Sequence, residues 1–231
     1  MTSPAILDLV TVVGSAYFQP IADLVENLSR RPAPDLNPSG TSHRENGYAA
    51  SICVLLVAVL ESYTARLRFV RNDVPNAAAN STPDLLEKYF PDLPDKKELV
   101  EVFLLRNLLL HNHIWHIDVS DVDAQGAPTL ATPMELGFHT NKHYEDVVDM
   151  SRRKTKTLDL NASPTSVDRS DAQKVFRIVW STLSFMGGKN ASHTPLSGRT
   201  VRYEGKFRQI EELIEELKRY RPSQGLQISS K

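Results

Sequence analysis

Thirteen residues of the sequence, LLRNLLLHNHIWH at 104–116, set side chains capable of proton transfer and anion binding inside an apolar pattern. The leucines recur at nearly every helical position, which predicts a helix packed inside a bundle or an oligomer interface. Arg106, Asn107 and His111 lie within that predicted helix. Since burying an unpaired guanidinium is costly, Arg106 must find a partner or face a wet cleft.

Helix geometry indicates which of these side chains can meet. Asn107 and His111 are four residues apart and share a face. Arg106 and His111 lie about 140° apart around a helix of ~3.6 residues per turn, and arginine is long enough to bring its head group back toward that face. An arginine that grips phosphate oxygens, beside an imidazole that can carry a proton, suits chemistry at a phosphodiester.

A purely structural interpretation of the same residues stands beside the catalytic one. In it, His111 satisfies a carbonyl in the core and Arg106 pairs with Glu61 of the preceding helix. His113 and His116 then lie at the end of the helix, where cations are favoured. The spacing alone leaves both interpretations open.

The three histidines of HNHIWH also have the spacing of a metal site. His-x-His-x-x-His resembles the metallo-β-lactamase pattern, and three imidazoles would suit zinc. However, Trp115 stands where that pattern has aspartate, and the motif here follows an apolar helix instead of a strand. Histidines elsewhere lie in no ligand arrangement: His139, His143 and His193. We therefore expect neither a metal nor a cofactor.

The segment RNLLLH resembles the signature of the HEPN domain (higher eukaryotes and prokaryotes nucleotide-binding). That signature is an arginine, four to six residues, then a histidine, often with Asn, Asp or His directly after the arginine. Arg106, Asn107 and His111 match it with four intervening residues. The apolar helix ending in LESY, with Glu61, resembles the preceding helix of the family. The resemblance covers roughly 48–117.

This resemblance implies a metal-independent endoribonuclease, in which the RNA 2′-OH attacks the adjacent phosphate and leaves a 2′,3′-cyclic phosphate. His111 would be the general base or acid, and Arg106 would hold the scissile phosphate and stabilise its transition-state charge. Asn107 would orient the other two or bind the phosphate, and Glu61 would position Arg106. The family usually builds its cleft across a two-fold homodimer with the motif helices facing each other.

The resemblance also suggests a defence or toxin–antitoxin setting, with RNA as substrate and a cognate antitoxin as a further partner. Some toxin members carry a tyrosine two residues after the motif histidine, which a nucleotidyltransferase modifies. His113 occupies that position here, so this type of silencing is not expected. The alternative function is a catalytically inactive HEPN-like module that binds nucleotide or protein.

A basic run follows later in the chain, at Arg152, Arg153 and Lys154, with Lys156 close behind. Such runs are usually solvated loops. The other interpretation is that these side chains bind RNA phosphates beside the cleft.

Composition places limits on the class of protein. The 231 residues suit one domain, and a net charge of −1 restricts any nucleic-acid contact to a local basic patch. Cys53 is the only cysteine, which fits a reducing compartment. The longest apolar run, 48–60, is shorter than the ~20 residues needed to span a bilayer, and the N-terminus lacks a signal pattern. We expect a cytoplasmic protein with no membrane association.

Helical periodicity predicts the elements that must position these residues. The expected fold is all-α, a HEPN-like bundle of about five long helices with a small β-hairpin insertion, forming a single domain over 1–231. The hairpin flanks DAQGAP within an insertion at 114–167, and 222–231 is a flexible tail. The first predicted helix starts near Ser3 and is kinked or split at Pro20, the second spans 45–70, and a short one lies near 82–90. The next spans 95–113, another starts at Ser170 and is stopped by the glycines at 187–188, and the last covers 205–220.

Overall fold

The computed structural model describes residues 13–31, 43–71, 73, 81–111, 117–122, 128–130, 142–149, 151–191, 194, 196 and 198–219. Within these residues the chain is mostly helical, as the sequence predicts. The helices are α1 Phe18–Ser29, α2 His43–Val70, α3 Thr82–Tyr89, α4 Lys96–His111, α5 Lys142–Val147, α6 Arg169–Lys189 and α7 Leu213–Glu216. Three antiparallel strand pairs accompany them: β1 Ile117–Val122 with β2 Pro128–Leu130, β3 Val148–Asp149 with β4 Lys154–Thr155, and β5 Thr200–Tyr203 with β6 Lys206–Gln209.

The centre of the bundle is α2, whose 28 residues contact α1, α4 and α6. Its buried side chains point in several directions around the helix axis; Ile52, Val57, Leu60 and Tyr63 are all fully buried. Among the described helices, α2 alone has the length and apolar composition to cross a membrane, a test that a core helix also passes. Packing against three neighbouring helices accounts for that composition.

The first described element is a 3-10 helix at Val13–Tyr17, which leads directly into α1. Pro20 lies in the first turn of α1, where backbone N–H groups have no partner within the helix, so the proline is accommodated there. Gly14 brings this 3-10 helix against α2. Its N–H donates to Ser62 Oγ at 2.8 Å, and a Cβ at Gly14 would lie 2.9 Å from the Val59 carbonyl oxygen. The predicted helix start at Ser3 lies outside the described residues.

The predicted β-hairpin is present, because β1 and β2 pair antiparallel with Ile117 opposite Leu130. The β3–β4 pair in the same insertion was not predicted. A buried carboxylate ties the insertion to α4, since Glu101 accepts the N–H groups of Thr157 and Leu158, each at 2.7 Å. Hydrogen bonds from Asn161 to Asp171 tie it to α6.

The start and end predicted for α6 were inexact. The N-cap is Asp168, not Ser170, and it forms a capping box with Asp171. The helix passes through Gly187 and ends at Lys189. A glycine pair lowers helix propensity, but the many buried side chains of this helix outweigh that cost. The fully buried ion pair of Arg169 with Glu45 fixes its N-terminal end to α2.

The prediction of a long C-terminal helix at 205–220 is wrong at its beginning. Glu204 and Gly205 both have positive φ, 49° and 76°, which is the geometry of a two-residue hairpin turn. The chain therefore forms β5 and β6, and Phe207 is 81% exposed instead of being buried on one face of the predicted helix. Within the described residues, a 3-10 helix at Ile210–Glu212 and the short α7 follow. Four described helices, α1, α2, α4 and α6, have twelve or more residues, so the expected fifth long helix is absent from the described chain. The predicted tail at 222–231 lies outside it.

Candidate functional site

Arg106 and Glu61 meet between α4 and α2. The Arg106 Nη2 group forms an ion pair with Glu61 Oε1, and Nη1 donates to Asn107 Oδ1 at 2.8 Å. The side chains of Arg106 and Glu61 are 19% and 35% exposed, so the guanidinium is partly buried and still reaches solvent. The arginine thus has both a partner and access to solvent, and either one reduces the cost of placing a guanidinium in an apolar helix.

These three side chains line one open cleft of about 560 Å³ between α4, the start of α3 and the end of α5. Glu61, Arg106 and Asn107 supply a polar end. The apolar part of the wall comes from Val100, Phe103, Leu104 and Val147, and the start of α3 adds Ser81, Thr82, Pro83 and Asp84. The cleft therefore joins a cation and an amide to an apolar surface on which a flat ring could rest.

His111 is the last residue of α4, so the helix runs unbroken from Arg106 to this position. Backbone geometry places the position of His111 on the same helix face as Asn107. The His111 side chain lies outside the described part of the molecule, as do His113 and His116. Of the predicted catalytic set, Arg106, Asn107 and the supporting Glu61 are thus brought together.

One side of α4 carries the α4 stripe, defined by three apolar side chains, Val100, Phe103 and Leu110, and the amide of Asn107 between them. Val100 is 40% and Leu110 is 37% exposed. The alternating spacing of three and four residues matches the seam of two packed helices. Three of these four residues also line the cleft, so the stripe and the cleft share one surface.

The basic run lies at the turn between β3 and β4, with Arg152 and Arg153 in the turn and Lys154 at the start of β4. Arg152 and Lys154 both pair with Asp159, the lysine at 3.0 Å, and the hydrogen bond from Lys154 lowers the pKa of that carboxyl. Arg153 lies between them and is half-buried, with φ of 51°. Val147, the residue before β3, is part of the cleft wall, so the strand that leads to the turn begins at one side of the cleft.

The described residues include no group of three His, Cys, Asp or Glu side chains arranged to hold a metal ion. The side chains of all three HNHIWH histidines lie outside the described part of the chain, so the zinc alternative stays a hypothesis from the sequence.

One part of the cleft wall, and one buried contact that supports the site, were not predicted from the sequence. Glu101, one of the few buried carboxylates, looked like an ordinary charged helix residue; its place within VEVFLL, an otherwise apolar run, was the available signal. The contribution of Thr82 and its neighbours had no such signal, because it depends on how α3 packs against α4.

Comparison of the chain with protein-family models, with curated proteins and with solved structures found no match.

Proposed function

We propose that this protein is a metal-independent endoribonuclease of HEPN type, acting in a defence or toxin–antitoxin context. The observation that carries the proposal is the placement of Arg106 and Asn107 on one open cleft, on a helix whose opposite face is packed into the core. A folded domain rarely leaves an arginine in such a helix without use, because alternatives are cheaper to bury.

Arg106 binds the scissile phosphate in this mechanism. A guanidinium has five N–H donors, and one each goes to Glu61 and Asn107, which leaves donors for phosphate oxygens. Arg106 then stabilises the added negative charge as the 2′-oxygen attacks phosphorus. His111 takes the proton of the 2′-OH or delivers one to the 5′-oxygen that leaves. The products are a 2′,3′-cyclic phosphate and a 5′-OH end.

Asn107 holds Arg106 through its side-chain oxygen, and it lines the cleft. Glu61 fixes the other side of the guanidinium. Both are positioning residues in this scheme, since they act through Arg106.

The enzyme works as a homodimer in this proposal, with the α4 stripe as its contact. An exposed apolar seam of this spacing is well suited to a second copy of the same helix. Two copies would bring two Arg106 side chains to one cleft, which supplies positive charge that a chain of net charge −1 otherwise lacks. A cytoplasmic site of action fits the reduced Cys53.

One observation favours the alternative, a non-catalytic binding module. The Glu61 carboxylate already neutralises Arg106, and an arginine held in this way can serve the fold alone.

Expression in bacteria separates the two functions. Under the nuclease proposal, induced wild-type protein arrests growth, and either Arg106→Ala or His111→Ala restores growth while the protein stays folded by circular dichroism. Arg202→Ala, an exposed arginine on β5, is the matched control and keeps the toxicity. Equal growth with wild-type protein and both variants would support the binding module.

A further inference from the structure

We propose that the turn between β3 and β4, carrying Arg152, Arg153 and Lys154, is a second phosphate-binding subsite for the same unpaired RNA strand. This inference rests on the proposed function, and it adds where the substrate extends beyond the scissile phosphate. The strand would run from Arg106 along the cleft wall at Val147 to the turn.

The local charge favours an anion. Between Asp149 and Asp159 the chain carries four cations and two carboxylates, an excess of two positive charges in a protein of net charge −1. Lys174 of α6 also approaches, since its Nζ donates to the Asp159 carbonyl oxygen at 2.9 Å. Glu101 of α4 adds a buried carboxylate, which accepts from the backbone of Thr157 and Leu158, so a net excess of one positive charge remains before Lys174 is counted. Glu145 and Asp146 of α5 accept from Lys156 through their backbone carbonyls.

Asp159 holds Arg152 and Lys154 in place and leaves both side chains partly exposed to solvent. One carboxylate is shared between Arg152 and Lys154, and their side chains remain 57% and 33% exposed. A phosphate oxygen can therefore be added to the same pair of cations from solvent. A charged cluster built in this way binds the backbone of a nucleic acid and ignores its sequence.

The turn is also held in shape before any ligand arrives. Asp149 Oδ1 accepts from Ser151 N at 3.0 Å, from Ser151 Oγ at 2.7 Å and from Arg152 N at 3.3 Å. Beyond β4, Glu101 fixes the N–H groups of Thr157 and Leu158 to α4. This preorganisation reduces the entropy lost when phosphate binds.

Location connects the turn to the cleft. Val147 lines the cleft, and the chain continues from it directly into β3. Arg152 follows Val147 by five residues, which at ~3.3 Å per strand residue is at most about 17 Å of chain between the cleft wall and the turn. An unpaired strand that leaves the cleft at Val147 can span this distance.

The test measures binding of a short, fluorescently labelled, unpaired RNA whose 2′-OH groups are methylated, so that it cannot be cleaved. Anisotropy compares the wild type with the double variant Arg152→Gln, Arg153→Gln. Losing two charged contacts should weaken binding by about tenfold. The plot of the logarithm of the association constant against the logarithm of the salt concentration should become less steep by about 1.4, or ~0.7 per phosphate contact on a single strand. Cleavage assays should show a raised KM with kcat nearly unchanged.

The matched control removes the same charge elsewhere, with Arg202→Gln and Lys206→Gln on the exposed β5–β6 hairpin. Its binding and salt slope should equal those of the wild type. Equal weakening by both double variants would mean a general charge effect and would overturn the subsite. Arg153→Gln alone, which leaves the Arg152–Asp159 pair intact, should give part of the loss.

The two proposals fail separately. Unchanged KM and binding in the turn variant, with normal cleavage by the wild type, overturns the subsite and leaves the nuclease. RNA that binds through the turn but is never cut overturns the nuclease and leaves the subsite.

Discussion

Arg106 is held from two sides before any substrate arrives, by Glu61 and by Asn107. The sequence suggested two roles for Arg106, an ion pair with Glu61 that serves the fold and binding of the scissile phosphate. The geometry is compatible with both roles. A carboxylate that fixes the guanidinium can also aim its free donors at the cleft. The role of His111 depends on a side chain outside the described residues, so it stays a prediction.

Replacing Glu61 tests whether it positions Arg106. Glu61→Gln keeps a hydrogen-bond acceptor of the same shape and removes its charge, so the guanidinium is held less firmly and RNA cleavage should fall by about tenfold. Single-turnover rates measure this, with chemical denaturation as the check on folding. An unchanged rate would show that Glu61 serves only the fold.

Cys53 provides a pH-dependent test of the core. Burial, with smaller contributions from Asp171 and Asp168, raises the pKa of this thiol well above its ordinary value. A raised folded pKa contributes stability at low pH that is lost as pH climbs past the unfolded value of ~8.5. The free energy of unfolding of the wild type should therefore fall more steeply between neutral and alkaline pH than that of Cys53→Ala. Parallel pH curves for the two proteins would contradict the burial of the thiol.

At the scale of elements, the close contact of the 3-10 helix with α2 requires a residue without a side chain, Gly14. Gly14→Ala would place a Cβ 2.9 Å from the Val59 carbonyl oxygen, so it should destabilise the protein by about 1–3 kcal/mol. Gly47→Ala is the matched control, because a Cβ there meets nothing within 4 Å. It lies in α2 and should stabilise by up to ~1 kcal/mol through helix propensity. Thermal melts compare the two, and equal shifts would contradict the close approach.

The elements predicted most accurately were those set by a local pattern of apolar and polar residues. Apolar periodicity located α2 and α4 nearly to their ends, and the β1–β2 hairpin followed from alternation around a turn. The β5–β6 hairpin was missed because Phe207, Ile210, Leu213 and Leu217 also fit a helical period. The turn at Glu204 and Gly205, with its positive φ values, outweighed that period. Apolar periodicity reports which positions are buried and carries no information on backbone φ, so it did not reveal the turn at Glu204 and Gly205.

The positions of Glu61 and the cleft wall depended on longer-range packing. Helix α2 supplies Glu61 and α4 supplies Arg106, 45 residues apart. Their contact needs both the rotation of each helix and the order in which the helices pack. A single sequence constrains the first through the apolar pattern and leaves the second open.

For the whole molecule, the α4 stripe predicts association of two copies. Val100→Asp with Leu110→Asp places charge on the exposed seam, so the variant should elute as a monomer in light-scattering chromatography while the wild type is a dimer. Phe207→Ser removes a more exposed aromatic group from β6 and should leave the dimer intact. A monomeric wild type, or a dimer that survives both charges, would place the contact elsewhere.

The chemistry of the cut ends tests the central claim most directly. Purified wild-type protein should cleave unpaired RNA in EDTA and leave a 2′,3′-cyclic phosphate, detected by mass spectrometry of the 3′ ends. Arg106→Ala should lose at least ~100-fold of this activity, the scale for removing a group that stabilises transition-state charge. A 3′-OH product, or equal cleavage by the Arg106→Ala variant, would contradict phosphate binding by Arg106 as the basis of function.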